Sequence, residues 1–200
     1  MGESIVEWLN QQQDNMVELL RDLVDIDSNS FDKAGVDRVG ARLTAFFDDN
    51  EIPHETIPLE EYGDAIRAVV SGGDGNQPIL LCGHRDTVFP TGEVEKRPFS
   101  IADGKAFGPG VADMKPGLVI NAFILAAFHK FGGHPNPLVG LFTGDEEIGS
   151  PASQDVITAE AEKARLAFNS EPSRPSGNIV TRRKGGIFCR CEISGVAAHS

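Results

Sequence analysis

The sequence is 200 residues long, 40% hydrophobic and 24% charged, enough apolar content to bury a core in one domain or in one domain and part of a second. A formal net charge of -12, with no Lys/Arg cluster on one face to offset it, argues against nucleic acid and against an anionic membrane surface as partners. Acidic residues stand where a secretory signal is basic. The longest apolar stretch, residues 118–128, is broken by Asn121 and falls short of the roughly 20 residues that span a bilayer, so a soluble cytoplasmic protein is expected.

Ser4 and Glu7 have the spacing of a capping box, and Met16, Leu19, Leu20, Leu23 and Val24 keep helical spacing, which predicts helix over residues 4–25 with a break near Asp14. Val36, Val39, Leu43, Phe46 and Phe47 line one face of a second helix. Residues 65–70, the Gly72-Gly73-Asp74-Gly75 turn and residues 79–82 read as strand, loop and strand. The uninterrupted apolar run at 78–82 has the pattern of a strand buried on both faces. Residues 99–107, around Asp103-Gly104, form a small hairpin. A helix over 116–131 opens with Pro116 and is apolar nearly all round, as for a helix buried against a sheet. Residues 138–142 and 166–168 are further apolar strands, separated by a more polar surface helix over 150–164, and residues 187–194 begin another strand. This alternation predicts an α/β domain with a layered mixed sheet flanked by helices, and the element count suggests a chain that stops in mid-domain.

The chemistry-bearing residues cluster just past the strand ends, where open α/β sheets place their ligand crevice. The strand at 79–82 delivers His84 and Asp86, that at 138–142 delivers Asp145, Glu146 and Glu147, and that at 166–168 delivers Glu171. His84 with Asp86 reads as a zinc-ligating imidazole oriented by a carboxylate on its other ring nitrogen, or as a strand end followed by a turn-capping Asp. Asp113, between Gly108-Pro109-Gly110 and the buried helix, is a ligand or a helix cap. Glu146 and Glu147 repel one another unless a cation or a proton compensates, which a metal ligand beside a general base provides; acids at a helix N-terminus are the alternative. Three cysteines fit reduced thiols. Cys82 reads as a core residue, and Cys189 and Cys191 share a strand face without the further Cys or His that a metal site needs.

Gly83-His84-Arg85-Asp86-Thr87-Val88, Gly108-Pro109-Gly110-Val111-Ala112-Asp113-Met114-Lys115, Thr143-Gly144-Asp145-Glu146-Glu147-Ile148-Gly149-Ser150, Ser170-Glu171-Pro172 and Ala198-His199-Ser200 occur together in this order. In order and approximate spacing the chain resembles the dinuclear zinc amidohydrolases that include glutamate carboxypeptidase, aminoacylase, acetylornithine deacetylase and succinyl-diaminopimelate desuccinylase. The resemblance covers nearly the whole chain, leans toward the glutamate carboxypeptidase branch, and is specific because five ordered motifs carry it.

The resemblance implies an incomplete zinc exopeptidase-like catalytic domain over residues 1–184, followed over residues 185–200 by the first strand of an α+β lid and dimerisation domain. It implies two Zn2+, for which Co2+ or Mn2+ can substitute, with His84 and Glu171 on one ion, Glu147 on the other and Asp113 bridging. Asp86 is implied as the partner of His84, Glu146 as the general base that takes a proton from a water shared by the ions to give the attacking hydroxide, and His199 as an oxyanion donor in the partner subunit's site. A cis peptide at Asp113-Met114 is implied too. The implied reaction hydrolyses an amide bond in a small-molecule or peptide substrate with a free carboxylate, releasing a C-terminal amino acid, in a protein that is a homodimer through its lid. N-acyl-amino-acid deacylation is the alternative with the same chemistry. Pro116 stands where the family commonly has Gly. The family's last zinc-ligating His falls beyond residue 200, so these 200 residues alone are expected to hold at most one zinc firmly and to be inactive. A metal-binding fragment without activity, or a plain α/β scaffold, are the readings from other classes.

Overall fold

The computed structural model describes residues 2–73, 77–182, 184–186 and 189–195. In chain order it contains α1 (Gly2–Gln11), α2 (Gln13–Val24), α3 (Lys33–Asp49), β1 (His54–Ile57), β2 (Ala65–Val70), β3 (Ile79–His84), α4 (Glu93–Lys96), β4 (Ser100–Ala102) and β5 (Lys105–Phe107). Then follow α5 (Lys115–Lys130), β6 (Leu138–Thr143), a single 3-10 turn (Glu146–Ile148), α6 (Gln154–Lys163) and β7 (Leu166–Asn169).

Five strands form one mixed sheet in the order β1-β2-β6-β3-β7, and β4 and β5 form a separate hairpin. β3 runs parallel to both β6 and β7, whereas β1 and β2 add antiparallel on the far side of β6. β6, third of the five, is buried at all six positions, as its unbroken apolar sequence demands of a strand covered on both faces. The period of two sorts the side chains between two layers. Leu81, Leu138 and Phe142 meet Leu19, Leu23, Val39, Leu43 and Phe47 and, from α5, Leu118, Ala122 and Leu125 in the main core. Leu80, Val139 and Leu141 point the other way into a smaller cluster with Val156 and Ile157 of α6. The α/β layering is therefore as the alternation of elements predicts. Among the described residues no helix is long and apolar enough to cross a membrane.

The differences from expectation have local causes. α1 begins at Gly2, so Ser4 lies inside the helix and no capping box forms; the helical break falls at Gln12. That break lets Trp8 reach Phe123 and Phe131 while Leu19 and Leu23 stay in the core. β1 has two exposed residues flanked by half-buried ones, too little apolar alternation to show in the sequence. β7 is apolar but lies at the sheet edge, exposed at all four positions rather than buried. The strand expected over 187–194 is absent from its described part: residues 189–195 carry no regular structure, and no neighbouring strand offers them a ladder.

α5 carries Pro116 in its first turn, where the missing N–H costs nothing, and packs its N-terminus tightly against the exit of β7. A Cβ on Gly117 would lie 2.2 Å from the Ser170 carbonyl oxygen and 2.7 Å from Met114 Cε. Gly117→Ala is therefore expected to lower the unfolding free energy by about 1–3 kcal/mol. Ile120→Ala, on the outer face of the same helix where Ile120 is 51% exposed, should change it by less than about 0.5 kcal/mol. Urea midpoints of the two variants check the difference, and equal values would show that the Gly117 contact yields freely.

Candidate metal centre

The parallel ladder fixes where the site residues emerge. His84 ends β3 opposite Thr143, the last residue of β6, and Arg85 N–H extends the ladder by one bond to the Thr143 carbonyl at 2.9 Å. Asp86 follows beyond the strand. Glu146 and Glu147 occupy the 3-10 turn after β6, Glu171 lies two residues past β7, and Asp113 closes the loop before α5, joined to Met114 by the expected cis peptide bond. The strand order also explains the convergence. β3 has its two parallel neighbours on opposite sides, reached through α5 and α6 on opposite faces of the sheet, and such a switch of direction opens a crevice at the carboxyl ends.

His84 is the hinge of the arrangement. Its ring is 2% exposed; Nδ1 lies 3.0 Å from the Asp86 carbonyl oxygen and 3.3 Å from Asp86 Oδ1. Nε2 looks outward, 3.2 Å from Asp113 Oδ1, 3.5 Å from Glu171 Oε1 and 3.8 Å from Glu146 Oε2. Two sets of potential ligand atoms share this imidazole, His84 with Glu146 and Glu171, and His84 with Asp113 and Glu147, each set within 4.8 Å. His84, Asp113, Glu147 and Glu171 thus come together as expected, and Glu146 joins them at ligand range. Imidazole and carboxylate oxygens at such spacing suit zinc or a similar divalent ion.

Behind the ring, Asp86 is fully buried. Its carboxylate accepts from Ser30 Oγ at 2.6 Å and from the N–H groups of Glu146 and Glu147, both at 3.1 Å. Burial pushes the Asp86 pKa up, but the His84 and Ser30 hydrogen bonds, the His84 charge and the Glu147 N–H outweigh it and hold the group below the usual carboxylate range. For His84, burial lowers the pKa, yet the hydrogen bond and charge of Asp86, with the charges of Glu171 and Glu146, raise it to about 9. Burial and the charges of Asp113 and Glu146 carry Glu171 up to about 7 against the pull of His84. Glu147 is raised as well, by burial first and then by Asp113, Asp86 and Glu146, with His84 opposing. Crowded negative charge and burial thus favour the protonated forms of these two glutamates, while the same negative charge favours the protonated His84.

Asp145 serves a different end from its neighbours. It is fully buried and accepts from Ala152 N–H at 2.7 Å, Ser153 N–H at 3.0 Å and the Ser153 hydroxyl, fixing the start of α6. Two contacts not legible in the sequence also shape the site: Ser30 donates to Asp86, and the Sδ of Met114 accepts from His84 N–H at 3.3 Å. Ser30 is 56 residues from its partner, and neither residue type advertises such a contact. Arg85, between His84 and Asp86, is 1% exposed; burial lowers its pKa to about 10 against the charges of Asp37, Asp86 and Asp64, which leaves it protonated at neutral pH. Cys82 is half-buried, its thiol pushed up to about 11 by burial. Cys189 and Cys191 are exposed and free, and His199 lies outside the described residues.

Two openings adjoin the cluster. One of about 170 Å³ is lined by Cys82, His84, Leu141, Glu146, Ile157 and Glu171 among others. A wider one of about 690 Å³ is bounded by Asp113, Glu146, Glu171, Arg174, Ile179 and Val180.

Comparison with known proteins agrees with this geometry. Carboxypeptidase G2 of Pseudomonas sp. (strain RS-16) is 30% identical over 194 residues, 94% of this chain and 46% of that protein; the chain spans less than half the length of this relative. Among solved structures, human carnosine dipeptidase 1 superposes with a TM-score of 0.74 at 17% identity, covering 87% of this chain and 42% of that one. The M20 family metallo-carboxypeptidase Sso-CP2 of Sulfolobus solfataricus gives 0.68 at 19% identity, covering 81% and 38%. These likenesses establish the fold. The description "Peptidase family M20/M25/M40" matches residues 80–196, more than half of the sequence and all of the clustered acids, and the chain belongs to that family.

Proposed function

We propose that this protein is a metal-dependent hydrolase that cleaves an amide bond and releases a C-terminal amino acid. One observation carries this reading: four carboxylates from three separate segments gather around the outward nitrogen of a single buried histidine. Imidazole and carboxylate donors of this kind would suit two Zn2+, or Co2+ or Mn2+ in their place; His84, Asp113 and Glu171 would hold one, and Asp113 and Glu147 would contribute to the other. When bound, the metal supplies Lewis acidity that polarises a carbonyl and makes water more acidic.

The chain's own groups do the rest. Asp86 keeps His84 in the tautomer whose Nε2 is free to ligate. Glu146, 51% exposed at the rim, takes the proton from the attacking water and returns it to the leaving amine. His199 is proposed to donate to the oxyanion from the partner subunit in a homodimer formed through a lid domain that begins near residue 185. A small acyl or peptidyl substrate with a free carboxylate is proposed to enter through the opening of about 690 Å³, whose volume is ample for one. Free cysteines support a cytoplasmic setting.

In the full-length protein, Glu146→Gln is expected to cut kcat by roughly 10²- to 10⁴-fold while leaving zinc content unchanged, and Glu147→Gln to lose zinc as well as activity. Metal analysis beside kinetics on an N-acyl amino acid, and on its C-terminal amide as the unreactive control, checks both. The opposite pattern of metal loss would reverse the two roles, and equal cleavage of the amide would remove the carboxylate requirement.

Metal uptake should also release protons. His84 (about 9) and Glu171 (about 7) hold protons in the metal-free protein, and only their deprotonated forms ligate. Apparent zinc affinity is therefore weakest below both values, climbs as pH rises through them and levels off above the His84 value. Calorimetry at pH 7 in buffers of different ionisation enthalpy should register between one and two protons released with the first ion; none would mean that the imidazole is already neutral.

A further inference from the structure

One buried cation beside the site, Arg85, has no part in the chemistry above. It is the largest of the fully buried side chains among the described residues. Burying a guanidinium costs several kcal/mol unless its donors are used, and an apolar side chain would fill the same space without that cost. The donors of Arg85 are directed at main chain. Nη1 donates to the Val36 carbonyl at 3.0 Å, and Nη2 donates to the carbonyl of Asp64, while Nε has no hydrogen-bond partner. Val36 lies in the first turn of α3 and Asp64 immediately precedes β2. One planar fork therefore ties the exit of β3 to two other elements, a bridge that the point charge of a lysine cannot reproduce.

The neighbourhood is shaped for this side chain. A Cβ on Gly40 of α3 would stand 2.1 Å from Arg85 Nη1 and 3.2 Å from Cζ, so the helix passes over the guanidinium only because residue 40 is glycine. The nearby acids have other partners: Asp64 accepts from Leu59 N–H at 2.9 Å and from Lys33, and Asp37 accepts from Asp64 N–H at 2.8 Å and pairs with Lys33 at 3.1 Å. In extended backbone alternate side chains face opposite ways. Arg85 turned toward α3 accordingly directs His84 and Asp86, on either side of it, toward the metal centre.

We infer that Arg85 is a positioning residue for the metal centre, its guanidinium clamping the end of β3 to α3 and to the entry of β2 so that His84 and Asp86 meet the acids of the other loops. The inference rests on the metal-dependent reading above. Its test reads the ligand field and not turnover. Full-length protein is stripped with a chelator and titrated with Co2+ well below its melting temperature, and the visible d–d bands are followed. Arg85→Met should bind Co2+ roughly 10- to 100-fold more weakly, the range typical of groups that orient metal ligands, with displaced bands. Arg85→Lys should fall between it and wild type. Gly40→Ala, which crowds the guanidinium without removing it, should shift the bands in the same direction and carries the test together with Arg85→Lys if Arg85→Met does not fold. A folded Arg85→Met or Gly40→Ala protein with a lowered melting temperature but wild-type Co2+ affinity and spectrum would show a purely structural role and overturn the assignment. A wild-type protein that takes up no Co2+ would overturn the metal reading itself, a distinguishable failure.

Discussion

A carboxylate removed from water is stable only if its lone pairs are filled, and Asp86 fills them from two distant parts of the chain, the Ser30 hydroxyl and two successive N–H groups of the turn after β6, and from the His84 ring two residues before it. Hydrogen bonds to a charged group contribute about 1.5–3 kcal/mol each, so this anion is a strong constraint on its surroundings. One consequence is the orientation of the imidazole. The other is the divergence of Glu146 and Glu147. With both N–H groups held on the same carboxylate, their side chains leave the turn toward different partners, Glu146 toward Glu171 and Glu147 toward Asp113.

The rest of the centre is a buried frame carrying an exposed ring of acids. His84 and Asp86 have almost no solvent contact, while the side chains of Asp113, Glu146 and Glu171 are 55%, 51% and 32% exposed. Screening by water tempers repulsion among the outer acids, and burial keeps the inner pair rigid and strongly coupled. Such a division lets the acids gather before any cation arrives. The remaining imbalance appears as upward displacement of His84, Glu147 and Glu171 together.

Sequence revealed the parts of this arrangement that depend on local order. His84, Glu146, Glu147 and Glu171 follow apolar strands, and Asp113 precedes a helix opened by proline, so their placement follows from period and punctuation alone. It was silent on Ser30, on the Met114 sulfur and on the direction of Arg85, because each depends on a contact between segments far apart in the chain. β1 escaped notice for a related reason: an edge strand that buries little has little hydrophobic pattern to read. The capping box failed in the opposite sense, since the correct spacing at Ser4 and Glu7 was overruled by a helix that starts earlier.

Asp145-Glu146-Glu147 shows why residue type alone cannot assign a role. Three consecutive acids share one charge and nearly one chemistry, yet the backbone sends them into three environments. Asp145 turns inward to the N–H groups that begin α6, where a helix N-terminus welcomes negative charge, and its side chain is committed to the fold. Glu146 and Glu147 are left outward, their main chain fastened to Asp86. The buried acid and the two outward ones depend on each other: Asp145 anchors the segment that follows the turn and Asp86 anchors the turn itself. Between these two buried carboxylates the adjacent glutamates have little freedom to move away from the histidine that faces them.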